Sequence, residues 1–242
     1  LIFRGVAFEF RFKASDARRH WWDKAFIGGS AVAAFAQGVV LGSFIQGIKV
    51  VDRAYSGGAF DWLTPFSLFT GFGLLAAYAL LGSTWLIIKT EGALQARMRT
   101  LARPLVWVLL AVIGVISLWT PLANPYIAER WFSIPNIFWF APVPVLVVLT
   151  AWQLLRVLHN EAHAGPFVLT LCLVFLGYTG MGISIWPNVV PPTISIWEAA
   201  GPPQSLGFTL VGALLIIPMI LAYTAWGYYV FRGKVDPSHG YH

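Results

Sequence analysis

Charge is scarce in this chain. Asp, Glu, Lys and Arg make up 11% of its 242 residues, against about a quarter in a soluble domain. With 58% of the residues hydrophobic, the shortage excludes an ordinary water-exposed fold, and it excludes disorder, since a chain this apolar does not stay solvated. Cysteine is scarcer still: Cys172 is single and lies in an apolar run, which excludes an intrachain disulfide framework. Histidine is missing from every long apolar stretch, because His20, His159, His163, His239 and His242 all lie between or beyond them. The formal charge of +6 is small and spread over loops, so it is read by position along the chain and not as a nucleic-acid footprint.

What is present is apolar and aromatic, with 12 Trp, 18 Phe and 8 Tyr. Six uncharged stretches stand out: Phe26 to Gly47, Leu63 to Ile88, Leu105 to Leu122, Ile134 to Leu155, Pro166 to Trp186 and Leu206 to Phe231. A helix rises about 1.5 Å per residue and a bilayer core is about 30 Å thick, so each can cross, the third barely because it is short and ends beside Pro121. The runs are apolar on all sides and lack the alternation of a membrane β-strand. The expected fold is therefore all-α, a polytopic transmembrane helical bundle forming one integral membrane domain over residues 1–242.

The basic residues sort by side. Thirteen lie in the segment 1–25, in the second and fourth loops and in the tail 232–242, whereas only Lys49, Arg53 and Arg130 lie in the alternate loops. Short cytoplasmic loops retain Lys and Arg. This places both ends and the second and fourth loops in the cytoplasm and the loop 187–205 outside. Residue 1 is Leu, and residues 1–3 read as the last turn of an earlier apolar helix, so the chain is expected to be the C-terminal part of a longer protein.

Candidate chemistry is thin. No catalytic, cofactor-binding or metal-ligating residue is assigned. Met181, Met219 and Cys172 are the sulfur groups inside spans that could approach a haem, and packing is the simpler reading. His159 and His163 share a helical face if the helix continues, but the order His-Asn-Glu-Ala-His is not the zinc-protease motif and lacks a third ligand. Gly38 with Gly42, and Gly73, Gly177, Gly180 and Gly182, are expected sites of close helix approach. Pro142, Pro144 and Pro218 are expected to kink their helices. Gln37 and Gln46 are nine residues apart and so are expected on opposite faces, without forming one site. A membrane transporter or channel without a redox cofactor is the alternative, though spans lacking a buried charge do not favour it.

Two stretches go further. Arg4-Gly5-Val6-Ala7-Phe8-Glu9-Phe10-Arg11, followed by a basic segment and Trp21-Trp22-Asp23, resembles the cytoplasmic loop after the second helix of subunit II of cytochrome bd-type quinol oxidases, including the cyanide-insensitive branch. Ile185-Trp186-Pro187-Asn188-Val189-Val190-Pro191-Pro192, then Ser195-Ile196-Trp197-Glu198-Ala199-Ala200 and Pro202-Pro203-Gln204-Ser205-Leu206, resembles that family's last outer loop. The final helix, with Tyr223-Thr224-Ala225-Trp226 and the Arg232-Gly233-Lys234 stop, completes the likeness.

The resemblance implies the last six of eight helices, and it implies a haem-free scaffold subunit in a respiratory-chain complex that oxidises quinol and reduces dioxygen to water. The b-type and d-type haems would then belong to the partner, subunit I. Lipid and quinone are the other implied partners, with a structural quinone and a small accessory subunit left open. The early acidic positions linked to proton delivery in the family are missing here. The residues singled out are structural: Arg4, Glu9 and Arg11 as a charge-assisted network at the inner surface, or as headgroup contacts; and Trp186, Trp197 and Glu198 in the outer loop, with Glu198 in the first turn of a short helix or bonded to the partner.

Overall fold

The computed structural model describes residues 1–52, 54–160 and 164–235. Arg53, the stretch 161–163 that holds Glu161 and His163 of the histidine pair, and the tail from 236 onward lie outside the described residues.

Helix dominates, as the uniformly apolar runs require. In a bilayer the backbone has no water to bond with, and a helix satisfies it internally. Helix α1 (Ile2–Lys13) turns at Ala14 and Ser15 into α2 (Asp16–Gln46), and a short hairpin of β1 (Val50–Val51) and β2 (Ala54–Tyr55) leads to α3 (Pro65–Lys89). Then come α4 (Gly92–Ala123), the short outer helices α5 (Pro125–Phe132) and α6 (Asn136–Phe140), α7 (Pro142–His159) and α8 (Gly165–Ile185). A second antiparallel hairpin, β3 (Asn188–Val190) with β4 (Ile194–Ser195), precedes α9 (Ile196–Ala199) and α10 (Pro203–Val230). Among the described residues six segments are long and apolar enough to cross a membrane: α2, α3, α4, α6 with α7, α8 and α10.

The segment 1–25 is not an extended loop. It is a helical hairpin, in which Ser15 and Asp16 end the turn and open α2. The third span, expected to be the shortest, lies in the 32-residue α4, because Arg97, Arg99 and Arg103 end the apolar count without ending the helix. In the fourth span the expected kink is a break at Ala141, after which Pro142 starts α7 at a position where its missing N–H costs little. Helix α10 runs on through Pro218.

Two clusters hold the bundle. The larger joins Leu80 and Ile87 of α3, Val106 and Leu109 of α4, Leu154 and Leu158 of α7 and Leu173 of α8. The smaller, toward the outer side, joins Ile45, Phe66 and Ile127, with Trp131 and Met181 packed against them.

Helices α2 and α3 come closest. A Cβ on Gly38 would stand 2.6 Å from the Thr70 carbonyl oxygen and 2.7 Å from Gly71 Cα, and one on Gly42 would collide with the Thr70 hydroxyl and reach Ser67 Cα at 2.6 Å. The approach lets Thr70 Oγ1 donate across the seam to the Gly38 carbonyl at 2.9 Å as well as to Ser67 O in its own helix at 2.7 Å. At the outer end Thr64 caps α3 in a reciprocal box with Ser67, and its hydroxyl also donates to Gln46 Oε1 at 2.5 Å. Farther along, the Tyr78 hydroxyl donates to Gln37 Oε1 at 3.1 Å. Gln37 and Gln46, expected on opposite faces of α2, both meet α3, but at separate levels, and do not form one site. Gly73 is a contact point against Val112, whereas Gly177, Gly180 and Gly182, expected as others, meet nothing within 4 Å.

Helix α10 stands apart, since none of its residues is buried. Among the described residues the contacts that fasten it lie at its C-terminal end: Lys89 Nζ donates to the Phe231 carbonyl at 2.5 Å and to that of Gly233 at 3.1 Å, Lys234 pairs with Glu91 at 3.0 Å, and Trp85 meets Tyr228 edge-on at 5.9 Å.

Gly42→Ala should therefore force α2 off α3. Overpacking costs about 1–3 kcal/mol, or a melting-temperature drop of roughly 3–10 °C for a chain of this size. Gly82→Ala, where a Cβ meets nothing within 4 Å, should leave the melting temperature unchanged in the same detergent.

Candidate functional site

The residues singled out from the sequence gather at two places. At the N-terminal hairpin, α1 runs antiparallel along the start of α2, and Arg11 Nε reaches Asp23 Oδ1 at 2.5 Å. Both side chains are nearly half exposed (46% and 45%), which limits the pair to about 1 kcal/mol or less. One helical face above, the Arg4 guanidinium lies over the Phe26 ring at 5.6 Å, and between them Phe10 packs on Trp22 at 5.4 Å. The two helices come into contact at Gly29, where a Cβ would meet Phe3 Cβ and Arg4 N at an ordinary van der Waals distance of 3.5 Å.

Glu9 does not join this arrangement: it is exposed and has no ion pair among the described residues. At about 100° per residue, Arg4 and Arg11 come back to one face after seven residues, while Glu9 is turned about 140° away from Arg4. The network expected among the three is therefore replaced by Arg11–Asp23 and Arg4–Phe26. Asp23 was visible in the Trp-Trp-Asp motif, but its role depends on the hairpin that folds α1 back, and no local spacing reveals that.

The outer loop is better ordered than a Pro-rich sequence suggests. Strand β3 pairs with β4, with Asn188 opposite Ser195, which brings Trp186 and Trp197 edge to face at 6.1 Å and 76°. Ser195 then caps α9. Its amide donates to Glu198 Oε2 at 2.7 Å and its hydroxyl to the same oxygen at 2.8 Å, while Glu198 N donates back to Ser195 Oγ at 3.3 Å. The amide hydrogen bond, followed by the hydroxyl one, holds the exposed Glu198 carboxyl below the ordinary glutamate range. Ile48 N donates to the Pro191 carbonyl at 3.0 Å, and Gly47, at φ 96°, permits that approach, so the loop is tied to the end of α2. Nearby, Trp131 Nε1 donates to Ser184 Oγ at 2.9 Å and ties α5 to α8. Burial raises the Tyr126 hydroxyl above its usual range, and its oxygen, like Asn124 Nδ2, is buried without a hydrogen-bond partner among the described residues.

Among the described residues no three His, Cys, Asp or Glu side chains group as a metal site. Met181 belongs to the outer apolar cluster, Met219 lies exposed on α10, and His20 is stacked on Trp21 at the start of α2.

The sequence model for cytochrome bd terminal oxidase subunit II matches residues 1–231. This chain belongs to that family. It is 28% identical to the cytochrome bd-I ubiquinol oxidase subunit 2 of Escherichia coli K12, over 97% of this chain and 71% of the relative. Identity is 25% to a probable cytochrome oxidase subunit 2 of Haemophilus influenzae, over 98% and 72%, and 24% to the cytochrome bd ubiquinol oxidase subunit 2 of Bacillus subtilis, over 98% and 70%. The family is part of a quinol oxidase complex, and its members are subunits of a larger assembly. The chain is thus a multi-pass membrane protein of an oxidoreductase complex, and the transporter alternative has no support from these matches.

The Glu198 cap carries a pH dependence. Its carboxyl is depressed in the folded loop, so the stabilisation is complete above the unfolded pKa of about 4.3 and is lost as acidification passes through the lower folded value. Protection factors of the Ser195 to Ala199 amides should fall roughly fivefold in Glu198→Ala at neutral pH, the scale of a lost helix cap, whereas Gln at this position keeps an acceptor for the Ser195 amide. Acidification of the wild type should lower its protection factors, corrected for the intrinsic pH dependence of exchange, toward the same values.

Proposed function

We propose that this chain is the haem-free scaffold subunit of a bd-type quinol oxidase, one that stabilises a haem-bearing subunit I while that partner oxidises quinol and reduces dioxygen to water. The observation that carries this reading is α10. A 28-residue apolar helix with no buried residue, fastened at its C-terminal end, leaves a long face within reach of another helical surface. Lipid alone satisfies apolar side chains, but membership of a multi-subunit oxidase family favours protein on part of that face.

The placement of the ligating side chains supports a structural part. The five histidines lie outside the apolar spans, and the sulfur groups serve packing or face outward. The b-type and d-type haems then sit on subunit I, and this chain's helices exclude water from them; a dry, apolar shell is one of the terms that set a haem's potential. Lipid, and quinone by its isoprenoid tail, are the small partners that such outward faces take. The Lys and Arg distribution supports an inner membrane orientation with both described ends in the cytoplasm. In that frame the Arg11–Asp23 pair and the Arg4–Phe26 contact fix α1 on α2 at the cytoplasmic surface, and the Trp186–Trp197 pair and Glu198 present a rigid outer surface to the partner.

If the role is structural, Arg11→Glu, which sets two like charges together against Asp23, should lower the amount of assembled oxidase severalfold while leaving turnover per haem within about twofold. Haem content of purified membranes and quinol-dependent oxygen uptake per haem separate the two. Normal assembly with collapsed turnover would contradict the reading.

A further inference from the structure

One set of polar side chains is used by neither the packing nor the proposed role. Helix α7 buries Ala151, Leu154 and Leu158 in the core, and this leaves Trp152, Arg156 and His159 on the opposite, outward face at helical spacings of four and three. They border a shallow cavity of about 430 Å³, lined by Trp152, Leu155, Arg156, His159 and Asn160. The Arg156 guanidinium lies over the Trp152 indole, 3.8 Å from the ring centroid. A contact through the face of the guanidinium leaves its N–H edge to bond an anion, and among the described residues that edge has no hydrogen-bond or ion-pair partner, a geometry suited to a phosphate.

The site lies at the last turns of a membrane-crossing helix, on the side that carries thirteen of the sixteen basic residues. Arg103 Nη2 approaches the Leu158 carbonyl at 3.4 Å and belongs to the other side of α7, so it fastens the helix end and leaves the cavity open. From deep to shallow the lining runs Trp152 and Leu155, then Arg156, then His159 and Asn160. An apolar floor, the Arg156 guanidinium at the boundary and polar side chains beyond it match an amphiphile in that order: first methylenes and glycerol, then phosphodiester, then headgroup hydroxyls. A free anion would use the guanidinium and waste the floor.

We propose that this cavity is a binding site for an anionic phospholipid of the phosphatidylglycerol or cardiolipin class, with Arg156 holding the phosphodiester, Trp152 orienting Arg156, and His159 and Asn160 hydrogen-bonding the headgroup. The site sits in the leaflet on the basic side and depends on the chain's place in a membrane, not on the haem-free role.

The test uses the intact complex, delipidated in mild detergent and titrated with phosphatidylglycerol or phosphatidylcholine under native mass spectrometry, which counts bound lipids. Arg156→Gln should weaken the tightest phosphatidylglycerol step about five- to tenfold, the scale of one basic residue at an anionic surface, and leave phosphatidylcholine unchanged. His159→Ala should produce a smaller loss in the same step. If Arg156→Gln does not assemble, Leu155→Trp, which fills the apolar floor and keeps every charge, must weaken phosphatidylglycerol binding. Unchanged binding in Arg156→Gln, or in Leu155→Trp where it is the variant used, an equal loss for both lipids, or displacement of the lipid by about 10 mM inorganic phosphate would overturn the proposal; the last would mean a plain anion site. None of these outcomes depends on haem content.

Discussion

Within a bilayer the hydrophobic effect does not press one apolar helix onto another, because lipid tails are as apolar as leucine. The close seating of α2 on α3 is therefore the contact on which the rest of this bundle depends. Gly38 and Gly42 have no side chain to hold the helices apart, and the space they leave lets Thr70 bond the Gly38 carbonyl across the seam. Dispersion between close backbones and interhelical hydrogen bonds, from Thr70 to Gly38 and from Tyr78 to Gln37, then do what water exclusion does in a soluble core. With α3 fixed, the second cluster of contacts, through Leu80 and Ile87, gathers α4, α7 and α8 around it.

The same constraint orders the polar groups. Most hydroxyls buried in the helices bond carbonyls one turn back, as Thr84 does to Leu80 and Thr170 to Pro166, so little is lost in burying them and they mark no path; Ser30 Oγ is buried without a partner among the described residues. Polar groups that link segments lie along the α2–α3 seam, as Thr70 with Gly38 and Tyr78 with Gln37, and at the ends, as Gln46 with Thr64 and Lys89 with the chain after α10. Between these rims the outward faces are apolar. They divide the protein into a small self-packed centre and a broad periphery whose partners, lipid and a second subunit in the proposed reading, lie outside the chain.

Much of this was legible beforehand, and the reason is physical. An uncharged run long enough to cross a bilayer has no other low-energy conformation, so the six spans follow from charge counting alone, and the quoted end motifs resembled the family to which the chain belongs. The ends of elements were harder to read. The helix through Arg97, Arg99 and Arg103 was missed because charge bounds the apolar layer and not the helix. The Arg11–Asp23 pair was missed because it forms only when α1 folds back on α2. Conversely, at three of the glycines expected at helix contacts, Gly177, Gly180 and Gly182, an added Cβ would meet nothing within 4 Å among the described residues; a small residue permits close approach but does not supply a neighbour. The serine-to-glutamate cap of α9 could have been read from the spacing of Ser195 and Glu198 alone, since that interval is the capping-box interval.

The central claim is that this subunit shapes and shields a redox centre it does not itself hold. The most direct measurement is the reduced-minus-oxidised visible spectrum of a tagged form purified gently from its native membrane, recorded with the masses of the co-purifying chains and repeated after the chains are separated. The account expects a second polytopic chain, with b-type and d-type haem bands that stay with that partner and are absent from this chain. Haem retained by the isolated chain would contradict it.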